Sequence, residues 1–444
     1  MFNYVIRRLL LMIPTFLGAT LLVFVILQMA PGGPLEKTIM QIQMGSAMGG
    51  GGEGGATSSG STSGAGTLLP KRAIKELERF YGFDKPVWQR YLIWLGVWER
   101  EIKHRNLTFK SGETEVKKNM GKRRYAYVKK NGAKLEVYDK EGNISTLWTA
   151  RFDMDISDAE IINFEELKSS GKLQDIPKLE ATIFETEYSG ILTGNLGKSY
   201  TYQQPVIEVM KPRFKVSILL GLTGLLISYL VCIPLGIKKA LNHGSKFDLL
   251  SSAIIFMAYS IPGWAFGGVL LVLFGGGSFW DVFPLGGLHS PQEIWVNLSF
   301  FEKIFDQIHH AILPIIAWTI GSFAVLTVLM KNSLLDTMSQ DYIRTAFAKG
   351  LSEKRVIWVH AVRNSVIPIA SGIGHIIATI IAGSYFIEMI FNINGFGKMG
   401  FQAILDRDYP ITMGFLVIAV IIRLIANLLS DLALAAVDPR IRFK

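Results

Sequence analysis

Residues 9–29 read LLLMIPTFLGATLLVFVILQM, an almost unbroken apolar run that contains no charged residue. Five more runs of the same character lie near 216–237, 249–274, 311–330, 366–391 and 411–434. Each is about 20 residues or slightly longer, the length a helix needs to cross roughly 30 Å of hydrocarbon. A buried helix of a soluble protein rarely runs that far without a polar face. The expected fold class is therefore an all-α polytopic membrane protein with six transmembrane helices. Arg7 and Arg8 precede the first run, as they would in a signal peptide. Its apolar core is longer than a signal core and no A-x-A pattern follows, so an uncleaved first span is expected.

Composition agrees. Of 444 residues, 50% are hydrophobic and only 18% charged, against about a quarter charged in a soluble domain. That much apolar mass excludes disorder for the chain as a whole, and the lone Cys232 excludes an intrachain disulfide framework. The net charge of +10 admits nucleic-acid binding or basic cytoplasmic loops. Its distribution decides for the loops. Arg7 and Arg8, then Lys238, Lys239 and Lys246, then Lys331, Arg344, Lys349, Lys354, Arg355 and Arg363, then Arg440, Arg442 and Lys444 alternate with the runs. Six spans put all four groups, and both termini, on the cytoplasmic side. The short loops on the other side lean acidic, with Asp281, Glu293, Glu302, Asp306, Asp406 and Asp408. No nucleic-acid partner is expected; the lipid bilayer is.

The organisation expected from this pattern is a first transmembrane helix over 1–33, a Gly/Ser-rich extracytoplasmic linker over 34–67, an outer helical segment over 68–100, a small β-rich module over 101–188 and a transmembrane domain over 189–444. Gly45 to Gly66 is nearly all Gly, Ser, Ala and Thr, a composition that cannot form a core. Arg72 to Arg100 reads as helix, with Ile74, Leu77, Phe80 and Tyr81 at helical spacing. Tyr125 to Phe152 reads as hairpins, turning at Asn131-Gly132 and Glu141-Gly142-Asn143.

Two nucleotide-like motifs fail on context. Gly197-Lys198-Ser199 ends like a P-loop, but position 192 is Leu where that loop needs Gly. Gly395-Phe396-Gly397-Lys398-Met399-Gly400 fits G-x-G-x-x-G but follows a membrane run rather than a strand, so its glycines are read as a tight turn. His309 and His310 are adjacent and form no metal pattern. His375, within the fifth run, either lines a pore or makes a packing hydrogen bond.

The segment 339–364 reads SQDYIRTAFAKGLSEKRVIWVHAVRN. Asp341 suits a helix start, Gly350 a helix end in left-handed geometry, and Ser352 a cap for a second helix. Small Thr345, Ala346 and Ala348 would let another surface approach. An ordered double helix between two spans points to docking of a cytoplasmic partner. A second polar feature lies inside the membrane: Arg423, Asn427 and Asp431 fall on one face of the sixth run. A charge near mid-bilayer costs about 2.5–3.5 kcal/mol on insertion scales, so this stripe faces protein or water. It is either a polar seam or a lining of a translocation path, and Glu388 near the outer end of the fifth run carries the same two readings.

The segment 341–364 resembles the EAA loop of ABC-importer permeases of the dipeptide/oligopeptide/nickel branch, the binding-protein-dependent transport inner-membrane components. That branch reads D-Y-x-R-T-A-x-A-K-G-L-S and then H-A-x-R-N, matched from Asp341 to Ser352 and from His360 to Asn364. Arg344-Thr345-Ala346 stands where the general pattern has Glu-Ala-Ala, as is usual for the branch. Tyr4 to Pro34, Tyr81 to Tyr91, Gly194 to Ser199, Glu388, Asp406 to Pro410 and Asp438 to Arg440 are similar to further family segments. The glycine linker and about 99–188 stand out as insertions. The resemblance implies a first-permease (B-type) subunit of type I importer architecture, similar to the subgroup importing longer or microcin-like peptides. It implies ATPase coupling through Asp341, Tyr342, Arg344, Thr345, Ala346, Lys349, Gly350, Leu351, Ser352, His360 and Arg363. Implied partners are a second homologous permease, two cytoplasmic ABC ATPases and an extracytoplasmic peptide-binding protein. ATP and Mg are expected on the ATPases, with no cofactor and no enzymatic activity in this chain. Nickel or another small solute is the alternative cargo. An ion-coupled secondary transporter would explain the hydropathy but not the double-helical loop.

Overall fold

The computed structural model describes residues 2–48, 74, 77–79, 81–109, 113–121, 124–131, 134–145, 147–152, 179–277, 279–372 and 383–437. The chain divides into two compact units, one of Met1–Ile74 with Leu196–Lys444 and one of Lys75–Asn195. The glycine-rich 49–66, Phe80, His375 and the terminal basic residues Arg440, Arg442 and Lys444 lie outside the described residues, as does the terminal Asp438–Arg440 motif.

The first unit is helical. It contains α1 (Phe2–Met29), α2 (Pro34–Met48), α4 (Val206–Leu241), α5 (Lys246–Ser260), α6 (Gly263–Phe274) and α7 (Phe300–Met338). After α7 come α8 (Asp341–Ala348), a helix over 353–365 that we label α9, then α10 (Tyr385–Ile390), α11 (Phe396–Leu405) and α12 (Tyr409–Val437). Four helices are long and apolar enough to cross a membrane: Asn3–Met40, Val206–Leu241, Phe300–Met338 and Tyr409–Ala436.

Two expectations need correction. The run 249–274 is two helices inclined at 95°, and counts as a fifth span only if the bent pair is taken as one. Pro262 supplies the reason. It lacks a donor and forces the preceding residue out of the helical region, and Ile261 is extended at φ −96, ψ 122. The start of the expected linker is also helical. Pro34–Met48 opens with proline, carries Glu36 in its first turn and is rich in Met and Gln, all favourable to helix. Of the fifth run, residues 367–372 and α10 are helical, with 373–382 between them outside the described residues.

Packing in this unit follows α4 and α7, which run parallel. One cluster joins Leu220 of α4 to Leu313 and Ala317 of α7 with Ile387, Phe391 and Ile393. Another joins Cys232, Ile237 and Ala240 of α4 to Leu326, Met330 and Leu334 of α7. Gly236 permits the approach, since a Cβ there would fall 2.6 Å from Met330 Cβ.

The second unit holds α3 (Val87–Leu95), stopped by left-handed Gly96 at φ 92, and six strands: β1 (Arg100–Phe109), β2 (Glu115–Gly121), β3 (Arg124–Asn131), β4 (Lys134–Tyr138), β5 (Trp148–Phe152) and β6 (Leu179–Glu187). Helix was expected up to Arg100, but that residue already begins β1 opposite Glu187. The strands form two antiparallel three-stranded sheets, ordered β1-β6-β5 and β2-β3-β4. Alternation buries Ala126, Val128 and Val137 while Tyr125, Lys129 and Lys134 face out. Both sheets feed one core with Leu107, Phe109, Trp148, Ala181 and Ile183. The turn at Gly142 (φ 85) is held by Asp139 Oδ1, which accepts from the N–H of Glu141 at 2.8 Å and of Asn143 at 2.9 Å.

Candidate functional site

The loop after α7 folds as helix, break, helix. α8 ends in a Gly350 at φ +74, where Gly350 N donates to Phe347 O at 2.9 Å and Leu351 N to Ala346 O at 3.4 Å. Left-handed geometry favours glycine here. Space does not, because a Cβ on Gly350 would meet nothing within 4 Å. The Ser352 carbonyl accepts from Arg355 N at 2.9 Å and Val356 N at 3.0 Å. Its hydroxyl makes no capping bond, so the expected side-chain cap is replaced by a backbone one. In α9, residues Val356–Ala361 are π-helical, between α-helical Glu353–Arg355 and Val362–Ser365.

One face of this double helix is packed against its own protein. Ile343, Ala346, Val356 and Ala361 are buried in the α4–α7 cluster. Ala346, grouped by sequence with an outward-facing surface, thus faces inward, because it sits three residues from Ile343 on the apolar face. Asn364 Nδ2 donates to Tyr342 Oη at 2.8 Å, tying the two helices together, and Ser333 Oγ of α7 donates to Ser365 O at 2.8 Å. The other face is open. Asp341, Tyr342, Arg344, Thr345, Ala348, Lys349, Gly350, Ser352 and Arg363 are exposed, while Leu351 and His360 are partly buried. Phe347, Trp358 and Val359 are also exposed, at 41%, 53% and 50%. Sequence reasoning passed over these three. Their signal was an apolar residue on the polar side of an amphipathic helix. Apolar side chains set among Arg344, Lys349, Lys354 and Arg355 have the character of a docking surface.

The polar residues expected within the membrane fall into different settings. Asp431 is tied to α1, accepting from Tyr4 Oη at 2.7 Å and lying 2.9 Å from Arg8 Nη2. Arg423 and Asn427 are exposed on the same face of α12, and no ion pair to Arg423 occurs among the described residues. Glu388 is fully buried and satisfied, accepting from Ser217 Oγ at 2.8 Å and from Lys398 N at 2.6 Å at the start of α11. A Cβ on Gly395 would collide with the Glu388 carboxylate. Gly395 of the G-x-G-x-x-G segment therefore makes room for a carboxylate that caps a helix, while Gly397 lies against the backbone of Gly383 and Ser384 and Gly400 against the Phe415 ring. The false P-loop has a similar explanation. Ser199 Oγ and Thr201 N donate to Asp408 Oδ2 at 2.5 and 2.9 Å. His309 Nε2 meets Val282 O at 2.9 Å and His310 Nδ1 meets Asp306 O at 2.8 Å, and no metal-holding cluster occurs among the described residues.

Residues 232–443 match the family described as the binding-protein-dependent transport system inner membrane component. The chain is 35% identical over 455 residues to the inner membrane ABC transporter permease protein YejB of Escherichia coli O157:H7, covering 99% of each. It is 34% identical over 453 residues to the peptidoglycan transport system permease protein YejB of Agrobacterium fabrum, covering 99% of this chain and 98% of the relative. Similarity to the oligopeptide transport system permease protein AppB of Bacillus subtilis is 35% over 254 residues, 57% of this chain and 78% of the relative. The first two relatives share the full length, including the stretch that holds the strand-rich unit. With apolar helices of spanning length and a match that takes in the whole helical loop, this chain belongs to the binding-protein-dependent inner-membrane components, the permeases of ABC transporters.

Proposed function

We propose that this permease conducts peptides inward as one half of an ATP-driven importer, and that its loop 339–364 receives the push of a cytoplasmic ATPase. The observation that carries the coupling role is the two-sided loop: one face is buried on α4 and α7, and the other presents Phe347 and Trp358 to solvent. Peptide as cargo is supported by relatives such as AppB, named for oligopeptide transport. In this reading there are six spans: the four long helices, the bent α5–α6 pair and the run 366–391. Both termini and the loop lie in the cytoplasm. The partners are a second homologous permease, two ATPases that carry ATP and Mg, and an extracytoplasmic peptide-binding protein. Closure of the ATPases moves the docked loop, α4 and α7 move with it, and the path opens alternately to the two sides. Arg423 and Asn427 face that path or the second permease, since lipid would not solvate the charge.

The test is Gly350→Trp. A Cβ at this position meets nothing within 4 Å, and the left-handed φ adds a cost of about 1–2 kcal/mol. The variant is expected to reach the membrane at normal levels while peptide uptake falls at least ~10-fold, the equivalent of about 1.4 kcal/mol of lost coupling, and ATP hydrolysis continues. Normal uptake would sink the assignment of the loop.

A further inference from the structure

We propose that Asp248 is a positioning residue of the transport step, a clasp that holds α5 to α4 and α7 so that α5 moves when the loop is pushed. The inference rests on the coupling role proposed for that loop. Lys239 of α4 is 1% exposed. Its ammonium donates to Asp248 O at 2.9 Å, Ser251 Oγ at 2.6 Å and Ser252 Oγ at 2.8 Å, and lies 3.2 Å from Asp248 Oδ1. All three of its donors are therefore used, all on α5. Lys331 of α7 reaches the same carboxylate from the other side, at 2.8 and 2.7 Å from its two oxygens. The turn before α5 completes the site. Gly244 N donates to Asp248 Oδ2 at 3.2 Å, His243 Nδ1 lies 3.3 Å from it, and Ser245 Oγ accepts from Asp248 N at 3.2 Å.

Three observations give this cluster a role beyond holding the fold together. First, a buried ammonium–carboxylate group is a weak source of stability, because desolvation offsets much of the attraction, and its best-attested use is to fix register or a switch. Second, the lysines sit inside the platform that carries the loop. Lys239 lies between Ile237 and Ala240, and Lys331 follows Met330, all members of the cluster that buries Ile343, Ala346, Val356 and Ala361. Third, α5 has little else to hold it. Its buried residues are Asp248 and Ile255, and at its far end the chain turns through 95° into α6. Yet α5 supplies Ile254, Ile255 and Ala258 to a cavity of about 670 Å³ whose other walls are α4, α7 and Leu288 of the loop between α6 and α7. A displacement of the loop thus reaches this wall of the cavity through Asp248.

The test uses the complete importer, with its own ATPases and binding protein, in proteoliposomes and a mixture of labelled di- to hexapeptides. Lys331→Gln cuts the tie to α7 and leaves the Lys239–Asp248 pair. Complex yield is expected to stay close to wild type and thermal unfolding to fall modestly, as the loss of hydrogen bonds to a charged group requires, while peptide transported per ATP hydrolysed falls about 10-fold, with Lys331→Arg restoring both. A purely structural cluster would move yield and unfolding and leave the ratio unchanged. An unchanged ratio in Lys331→Gln would overturn the proposal. Should that variant fail to assemble, Asp248→Asn decides, since the amide keeps the shape of the side chain and the bonds of Lys239 to the Asp248 carbonyl, Ser251 and Ser252 while removing the charge that Lys331 holds. A reduced ratio in the assembled variant supports the clasp, and a ratio near wild type overturns it. A wild-type complex that moves no peptide would instead refute the peptide reading, and the comparison of ATPase stimulation by binding protein between wild type and Lys331→Gln would still test the clasp.

Discussion

The two ends of α4 bury carboxylates in contrasting ways. Near its start, Ser217 meets Glu388, and Asp408 nearby meets Ser199 and Thr201. Both carboxylates are bound by hydroxyls and backbone N–H groups, and both stand at the start of a helix, α11 and α12. Near its end, about 33 Å away along the helix, Asp248 is bound chiefly by the ammonium groups of Lys239 and Lys331. A backbone N–H is fixed to the helix it belongs to, so a carboxylate that accepts from it fixes where that helix begins. An ammonium on a four-carbon stem joins one helix to another without fixing where either begins. The contrast separates a frame at one end from an inter-helix tie at the other. Substitutions in the frame should register as lost stability, and those around the loop as lost coupling.

The largest effect on stability is expected at Asp408, which is 1% exposed. Asp408→Ala strands Ser199 Oγ and the N–H groups of Thr201 and Ile411. Hydrogen bonds to a charged group contribute about 1.5–3 kcal/mol each, non-additively, so a loss of about 2–4 kcal/mol is expected in detergent-solubilised unfolding. A variant as stable as wild type but defective in transport would break the division into frame and tie. Asp431→Asn should cost less, about 1 kcal/mol. That carboxylate is a quarter exposed and is held by Tyr4 and by Arg8, itself 45% exposed. Its expected readout is looser packing of α1, measured as faster proteolysis or exchange over Tyr4–Arg8 with the remaining spans unchanged.

The loop end was the more legible of the two in the sequence. Asp341, Gly350 and Ser352 announce two helices and a break through local chemistry, and the break stands where left-handed Gly350 puts it. The apolar runs at 216–237 and 311–330 became α4 and α7 because composition alone decides them. What could not be read locally was pairing. Lys239 and Lys331 register in the sequence only as basic residues beside a span, since Asp248 lies 9 and 83 positions away from them. The same holds for Ser199 and Asp408, 209 positions apart. The break at Ile261-Pro262 was hidden for a different reason. Hydropathy averages over a proline flanked by apolar residues, and the tight seat of Gly263, where a Cβ would lie 2.6 Å from Ala317 O, exists only once α6 and α7 meet.

The smallest effect on stability, and the sharpest use of the contrast, belongs to Arg344→Ala. Arg344 is 76% exposed and lies 3.6 Å from an Asp341 that is 96% exposed, a surface pair of the kind that contributes little or nothing measurable. Ile343 and Ala346, which anchor α8, are untouched by the change. Unfolding should therefore be indistinguishable from wild type. The guanidinium is nevertheless solvent-exposed on the loop proposed to couple to an ATPase, and it is a strong donor for carboxylates. Peptide uptake is expected to fall several-fold through weaker association with the ATPase, and the deficit should deepen as salt screens the remaining charges. Lost stability with intact uptake would place Arg344 in the frame rather than at a contact. Intact values for both would confine the docking surface to the apolar Phe347 and Trp358, and Phe347→Ala would then have to carry the loss.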